Sequence, residues 1–154
     1  MEPEELVALL ASRKETVATA ESLTAGLVCA TLARVPGASA VIRGGLIVYA
    51  TELKAELAGV DRALLAAHGA VHPEVAAQLA AGARTRCGAT WGLGLTGVAG
   101  PSAQDGVAPG TVYVGIDGPG TRRVRTLGLS GDRDMIRNAS VRAAFTLLGE
   151  HLAG

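Results

Sequence analysis

Aromatic side chains are nearly missing from this chain: one Trp, one Phe and two Tyr in 154 residues. Alanine, glycine, valine and leucine must therefore fill the core, which favours helices packed closely on a sheet over broad aromatic pockets. Net charge is missing too, with 14 basic residues against 14 acidic ones. A nucleic-acid binder needs a positive field to exchange counterions with phosphates, so no nucleic-acid partner is expected. The only basic cluster, Arg122-Arg123-Val124-Arg125, alternates as one solvated face of a strand would. Cysteine is scarce: Cys29 and Cys87 form no CxxC pair and sit in alanine-rich helical stretches, where buried free thiols in a reducing cytoplasm are expected. The opening Met1-Glu2-Pro3-Glu4-Glu5 is acidic and lacks the basic start of a secretion signal. No apolar run reaches membrane-spanning length without a charge or glycine break, so a cytoplasmic location and no membrane partner are expected.

What is present describes one ordinary α/β domain over residues 1–154. Hydrophobic residues make up 49% and charged ones 18%, the balance of a packed chain and not a disordered one. Residues 3–13 read as a helix, with Pro3 in the first turn and Leu6, Val7, Leu9 and Leu10 forming an apolar face. Residues 16–20 read as a short buried strand, and 24–35 as a helix ended by Pro36-Gly37. Residues 41–50 read as a strand interrupted by Gly44-Gly45, a signal for a bulge or a close backbone approach. Thr51 is placed as the cap of a helix that turns Leu53, Leu57 and Ala58 inward and closes at Gly59. Asp61 caps another helix that stops at Gly69, and Pro73 opens a longer one to about Cys87. A strand at 90–96 leads into a Gly/Pro/Ser-rich loop at 97–109, long enough to suggest function. Strands at 110–117 and 121–129 follow, joined closely enough to pair antiparallel, and a last helix runs from near Asp132 to about Leu152. The order predicts a three-layer α/β/α fold with a mixed, mostly parallel sheet.

Three segments put reactive or small residues where strands give way to turns, the place where α/β folds build sites. The first is Ala20-Glu21-Ser22-Leu23-Thr24-Ala25-Gly26. Ser22 or Thr24 can serve there as a helix cap; alternatively, Ser22 is a nucleophile beside the partial positive charge of a helix start. The second, Tyr49-Ala50-Thr51-Glu52-Leu53-Lys54, offers a phenol and an amine. Lys54 can be a solvated surface residue, or a base if burial lowers its pKa. Tyr49 can be strand packing, or a proton relay. The third, Thr96-Gly97-Val98-Ala99-Gly100-Pro101, is no P-loop, since no Gly-Lys-Ser/Thr follows; it is either a tight connection or a nest of backbone amides for an oxyanion or phosphate. Arg133 and Arg137, one helical turn apart after Ser130-Gly131-Asp132, fit a phosphate clamp or a solvated helix face. His68 and His72 have ligand-like spacing, but Gly69 and Pro73 break any shared helix. No metal or other cofactor is expected, and His72 reads as a cap.

These segments, together with His68-Gly69-Ala70-Val71, Pro109-Gly110-Thr111-Val112 and Ser130-Gly131-Asp132-Arg133-Asp134, occur in the order and approximate spacing of one family. Over essentially its whole length the chain resembles the CinA C-terminal domain family, whose characterised activity is nicotinamide mononucleotide deamidation. The resemblance implies a three-layer α/β/α amidohydrolase that converts nicotinamide mononucleotide to nicotinate mononucleotide and ammonia, recycling pyridine nucleotide. It implies Ser22 as nucleophile, Lys54 as general base and Tyr49 as assisting hydroxyl. Thr24, Ala25 and Gly26 complete the first motif, and Thr96, Gly97 and Ala99 match the loop lining the substrate site. Arg133 and Arg137 match basic positions, for which phosphate binding is the inference. Family members commonly self-associate, so a homo-oligomer is expected. Many relatives carry a further N-terminal domain resembling molybdopterin-binding proteins; these 154 residues hold no match for it, and its activity is not expected here.

The family usually has Gly-Gly after the threonine of the first motif, whereas Ala25 replaces the first glycine here. A position that needs positive φ or close substrate approach would then be strained or narrowed. The competing expectation is a mononucleotide-binding or competence- and damage-related adaptor module without turnover. A narrower alternative is hydrolysis of some other small amide.

Overall fold

The computed structural model covers residues 1–154 and holds six helices and five strands. In chain order these are α1 (Pro3–Arg13), β1 (Val17–Glu21), α2 (Leu27–Ala33), β2 (Ile42–Ile47), α3 (Thr51–Ala58), α4 (Arg62–His68), α5 (Pro73–Cys87), β3 (Trp91–Gly97), β4 (Thr111–Gly118), β5 (Thr121–Gly128) and α6 (Arg133–Ala153), with a short 3₁₀ turn at Ala38–Ala40. The sheet order is β2-β1-β3-β4-β5. β1 pairs parallel with β2 and β3, while β4 is antiparallel to both β3 and β5, so four of the five strands run one way. This is the expected mixed, mostly parallel sheet.

Its two faces are built from different side chains. Toward α1, α2 and α6 the strands present Val17, Trp91, Leu93, Leu95, Val112, Val114 and Ile116, which form one buried cluster with Leu6, Leu10, Leu32, Phe145 and Leu148. Toward α3, α4 and α5 they present Ala18 and Ala20, packed with Val48, Leu65, Val75, Leu79 and Ala83. The alternation Trp91-Gly92-Leu93-Gly94-Leu95 assigns the leucines to the first face and the glycines to the second. A side-chain carbon at Gly94 would stand 2.5 Å from both Ala76 O and Ala80 N of α5, so α5 rides directly on the strand backbone. Scarcity of aromatics thus becomes close backbone packing on one side of the sheet.

The Gly44-Gly45 signal is a bulge: Val17 pairs with Ile42 but Ala18 with Gly44, which leaves Arg43 extra on β2. Asp61 and Asp132 cap α4 and α6 through their carboxylates, and His72 Nδ1 accepts from Glu74 N at 3.1 Å to cap α5.

Four expectations need correction. The helix placed at 24–35 begins only at Leu27, because Ala25 and Gly26 both adopt positive φ, and neither Ser22 nor Thr24 caps it. Thr51 is the first residue of α3 and caps nothing; Ala50 occupies the cap position without a side-chain bond. Leu57 is exposed, and Lys54 takes the inward position on that helix. Both cysteines are free but only half-buried. No helix is long and apolar enough to cross a membrane.

Candidate functional site

β1 lies between β2 and β3, so the chain leaves it to one side and later returns to the other. Such a switch point opens a crevice at the carboxyl ends of the strands. Ser22 follows β1, Tyr49 follows β2 and Gly97 ends β3, all at that edge. They line a cavity of about 300 Å³ together with Leu23, Arg133 and the loop from Val98 to Gln104.

Ser22 is fixed by main-chain bonds. Its N–H donates to Leu95 O at 3.0 Å, and the preceding Glu21 O accepts from Val48 N at 2.9 Å, which ties the end of β1 to both neighbouring strands. Its hydroxyl is engaged by no other group of the chain. Across the cavity, Ala99, Gly100, Ser102 and Ala103 have main-chain N–H groups without an acceptor in the chain, as do Leu23 and Thr24 beside the serine. Of these residues Leu23, Ala99, Gly100, Ser102 and Ala103 line the cavity and Thr24 does not. Unpaired main-chain amides at a cavity wall are suited to holding a negative oxygen.

Arg133 joins the walls. Its Nη1 donates to Gly100 O at 2.7 Å and its Nη2 to the Tyr49 hydroxyl at 2.8 Å. Arg137, one turn along α6, lies outside the cavity lining and donates from Nε to Leu23 O at 2.9 Å and from Nη2 to Thr24 O at 3.3 Å. That guanidinium therefore holds the turn that carries Ser22; its ion pair with exposed Asp134, at 3.8 Å, adds little.

Lys54 is 1% exposed, and its ammonium donates to Val48 O at 2.8 Å and Tyr49 O at 3.1 Å. Burial pushes its pKa down to about 8, partly opposed by the Glu52 carboxylate. It sits behind the Tyr49 wall and makes no hydrogen bond to Ser22. Thr96 is also outside the cavity, its hydroxyl spent on Ala70 O at 2.8 Å. Thr24 Oγ1 is buried without a partner. The structure thus gathers Ser22, Tyr49, Gly97, Ala99 and Arg133 around one space, with Lys54 and Arg137 directly behind it.

A model described as the CinA C-terminal domain matches residues 2–152. The chain belongs to this family. A CinA-like protein of Frankia casuarinae is 50% identical over 149 residues, covering 97% of this chain and 34% of that protein. A CinA-like protein of Anaeromyxobacter sp. (strain K) is 47% identical over 147 residues, covering 95% of this chain and 36% of its own length. The chain spans about a third of the length of these curated relatives. Among solved structures, the competence damage-inducible protein A of Klebsiella pneumoniae superposes with a TM-score of 0.93 at 28% identity, covering 99% of this chain and 98% of that one. A competence/damage inducible protein of Agrobacterium tumefaciens gives 0.90 at 30% identity, covering 99% and 96%.

One residue of this CinA domain escaped the sequence reading. Glu21 is 1% exposed; its carboxylate accepts from Val28 N at 2.8 Å and Cys29 N at 3.1 Å, and from the Thr19 hydroxyl at 2.9 Å. Gly26 at the cap of α2 has no side chain to offer, so Glu21 satisfies the orphan amides from beneath and gains from the helix dipole. The signal was available: one charge closing an otherwise uncharged buried strand needs donors, and a helix start supplies them.

Ala25 adopts φ 48° in the CinA domain's first turn, the left-handed region that glycine enters freely. It is exposed and lies outside the cavity lining, so it strains the backbone without narrowing the site. Ala25→Gly relieves about 1 kcal/mol of strain and returns roughly half of that to the entropy of the unfolded chain. Urea unfolding should show a net gain of about 0.5 kcal/mol; a loss would mean the turn relaxes around alanine.

Proposed function

We propose that this domain hydrolyses the carboxamide of nicotinamide mononucleotide, giving nicotinate mononucleotide and ammonia. The observation that carries the reading is an unengaged serine that lines one cavity with residues whose backbone amides are unpaired, with a buried lysine of lowered pKa hydrogen-bonded to the main chain of the Tyr49 wall. Ser22 Oγ attacks the amide carbon and passes its proton to neutral Lys54, directly or through the Tyr49 hydroxyl. The carbonyl oxygen becomes an oxyanion held by amides of Leu23 and Thr24 or of Ala99 and Gly100. The carbon–nitrogen bond breaks, the nitrogen takes the proton from Lys54, and ammonia leaves an acyl-Ser22 ester. Water then adds to the ester, giving the carboxylic acid and free Ser22. Arg133 orients Tyr49 and Gly100 in this scheme, and Arg137 holds the Ser22 turn.

A second reading, a mononucleotide-binding module without turnover, draws on the Lys54 ammonium being committed to two carbonyls and not to Ser22. Ammonia assays on purified protein with nicotinamide mononucleotide, run beside calorimetric titration, separate the two. Release at a rate proportional to enzyme supports the deamidase. Binding without release supports the module and removes the acyl-transfer scheme.

A further inference from the structure

The loop from Val98 to Pro109 ends its passage along the cavity in a small, defined turn. Gln104 and Val107 form an isolated antiparallel bridge, with Gln104 N donating to Val107 O at 3.0 Å and Val107 N to Gln104 O at 2.8 Å. Between them Asp105 and Gly106 have φ of 49° and 75°, the two positive values that a tight two-residue turn requires and that Asp-Gly tolerates. The turn is seated against the end of α4, where a side-chain carbon on Gly69 would stand 3.0 Å from Asp105 Oδ2. Gln104 is thus presented to the cavity from a braced backbone.

Its side chain is the uncommitted reader of that wall. Of the polar side chains lining the cavity, Ser22 is assigned to the reaction and Tyr49 and Arg133 are engaged with each other. Ser102 carries a single short hydroxyl. Gln104 carries a carbonyl and an amino group side by side, and no group of the chain engages either. An amide presents one acceptor beside two donors, which matches two adjacent hydroxyls, each able to donate and accept. It suits a phosphate poorly, since it brings no charge and the Asp105 carboxylate is its sequence neighbour; the cation of the cavity is Arg133, at the Tyr49 side.

We propose that Gln104 is a specificity-determining residue that recognises the vicinal hydroxyls of the substrate's ribosyl group. The inference rests on the mononucleotide reading above and adds which part of the substrate this loop selects.

The test pairs wild type and Gln104→Leu with nicotinamide mononucleotide and its 2′-deoxy and 3′-deoxy analogues, following ammonia release and calorimetric binding in the same samples. Leucine keeps the bulk without the hydrogen bonds, and the bridge to Val107 is main-chain only, so thermal melting should be unchanged. On the ribonucleotide the variant should raise KM about tenfold with kcat nearly constant, the size that one or two neutral hydrogen bonds give. On at least one deoxy analogue wild type and variant should become equal. A variant indistinguishable from wild type on the ribonucleotide, or one that loses the same factor on every substrate, overturns the assignment. If no ammonia is released but wild type binds the ribonucleotide more tightly than the deoxy analogues and the variant does not, the deamidase reading fails and Gln104 stands. If wild type binds all three equally or none, the assignment falls.

Discussion

Ser22→Ala and Lys54→Met should each lower ammonia release from nicotinamide mononucleotide by about 10³-fold or more, and the double variant should be no worse than the weaker single. Groups acting as one nucleophile–base unit lose their effect together, so the energies do not add. Full additivity would mean that serine and lysine act in separate steps. The pH profile provides the second arm. With the Lys54 pKa lowered to about 8, roughly a tenth of the lysine is neutral at pH 7 and most of it at pH 9. Thus kcat/KM should rise about tenfold over that interval, and a flat profile would remove Lys54 as the base. Stability carries the same signature. The unfolded lysine titrates near its ordinary value of about 10.4, so between pH 8 and about 10.4 the unfolded chain binds a proton that the folded chain does not. Stability therefore rises with pH across that window, by about 3 kcal/mol in all, and below pH 8 the penalty is constant because both states are protonated. The rise, read as the difference between wild type and Lys54→Met in urea at pH 7.5 and 10, should be present in one and absent in the other. On the proposed scheme, such a rise would mean that the interior ammonium is held at a net loss of stability, which an apolar replacement would avoid without being able to accept a proton.

That lysine also marks where sequence reading stops. Helices α1, α4, α5 and α6 and all five strands were legible because caps, prolines and period-two or helical spacing pointed one way at each. The stretch around α2 and α3 was not. Helical spacing across 24–35 hid the turn at Ala25 and Gly26, both at positive φ, beyond which the Glu21 carboxylate accepts from the helix start at Val28 N. On α3, Leu57 and Lys54 compete for one inward face. Propensity favours leucine, but the carbonyls of Val48 and Tyr49 favour a donor, and those carbonyls are set by where β2 ends. Ser22, Tyr49, Gly97, Ala99 and Arg133 could be nominated singly from the sequence. Their common cavity depends on β1 lying between β2 and β3, and on α6 returning across the strand ends, neither of which is written in local spacing.

The frame beneath the site makes the last prediction. Gly94→Ala, a change of one methyl group, should cost about 3–5 kcal/mol. The added carbon would stand 2.5 Å from Ala76 O and Ala80 N and 2.8 Å from the Leu79 side chain, and two of these three are helix backbone that cannot rotate away. Overpacked cores usually lose about 1–3 kcal/mol by shifting side chains. Here α5 must lift as a unit, and Gly115 on β4, whose own added carbon would lie 2.5 Å from Ala76 O, shows that the same helix is equally close next door. Lifting α5 opens a gap along the glycine and alanine face, where no large side chain can fill it, so lost dispersion adds to the strain. Against a total stability of about 5–15 kcal/mol the folded population should fall measurably at 37 °C. Gly128→Ala on β5, where nothing lies within 4 Å of the new carbon, is the control and should stay within about 0.5 kcal/mol. Equal urea midpoints for the two variants would mean that α5 does not depend on the bare backbone of β3. A loss confined to Gly94→Ala would show that the near-absence of aromatic residues is a packing requirement, since rings on this face would hold the helix away from the strands whose ends build the cavity.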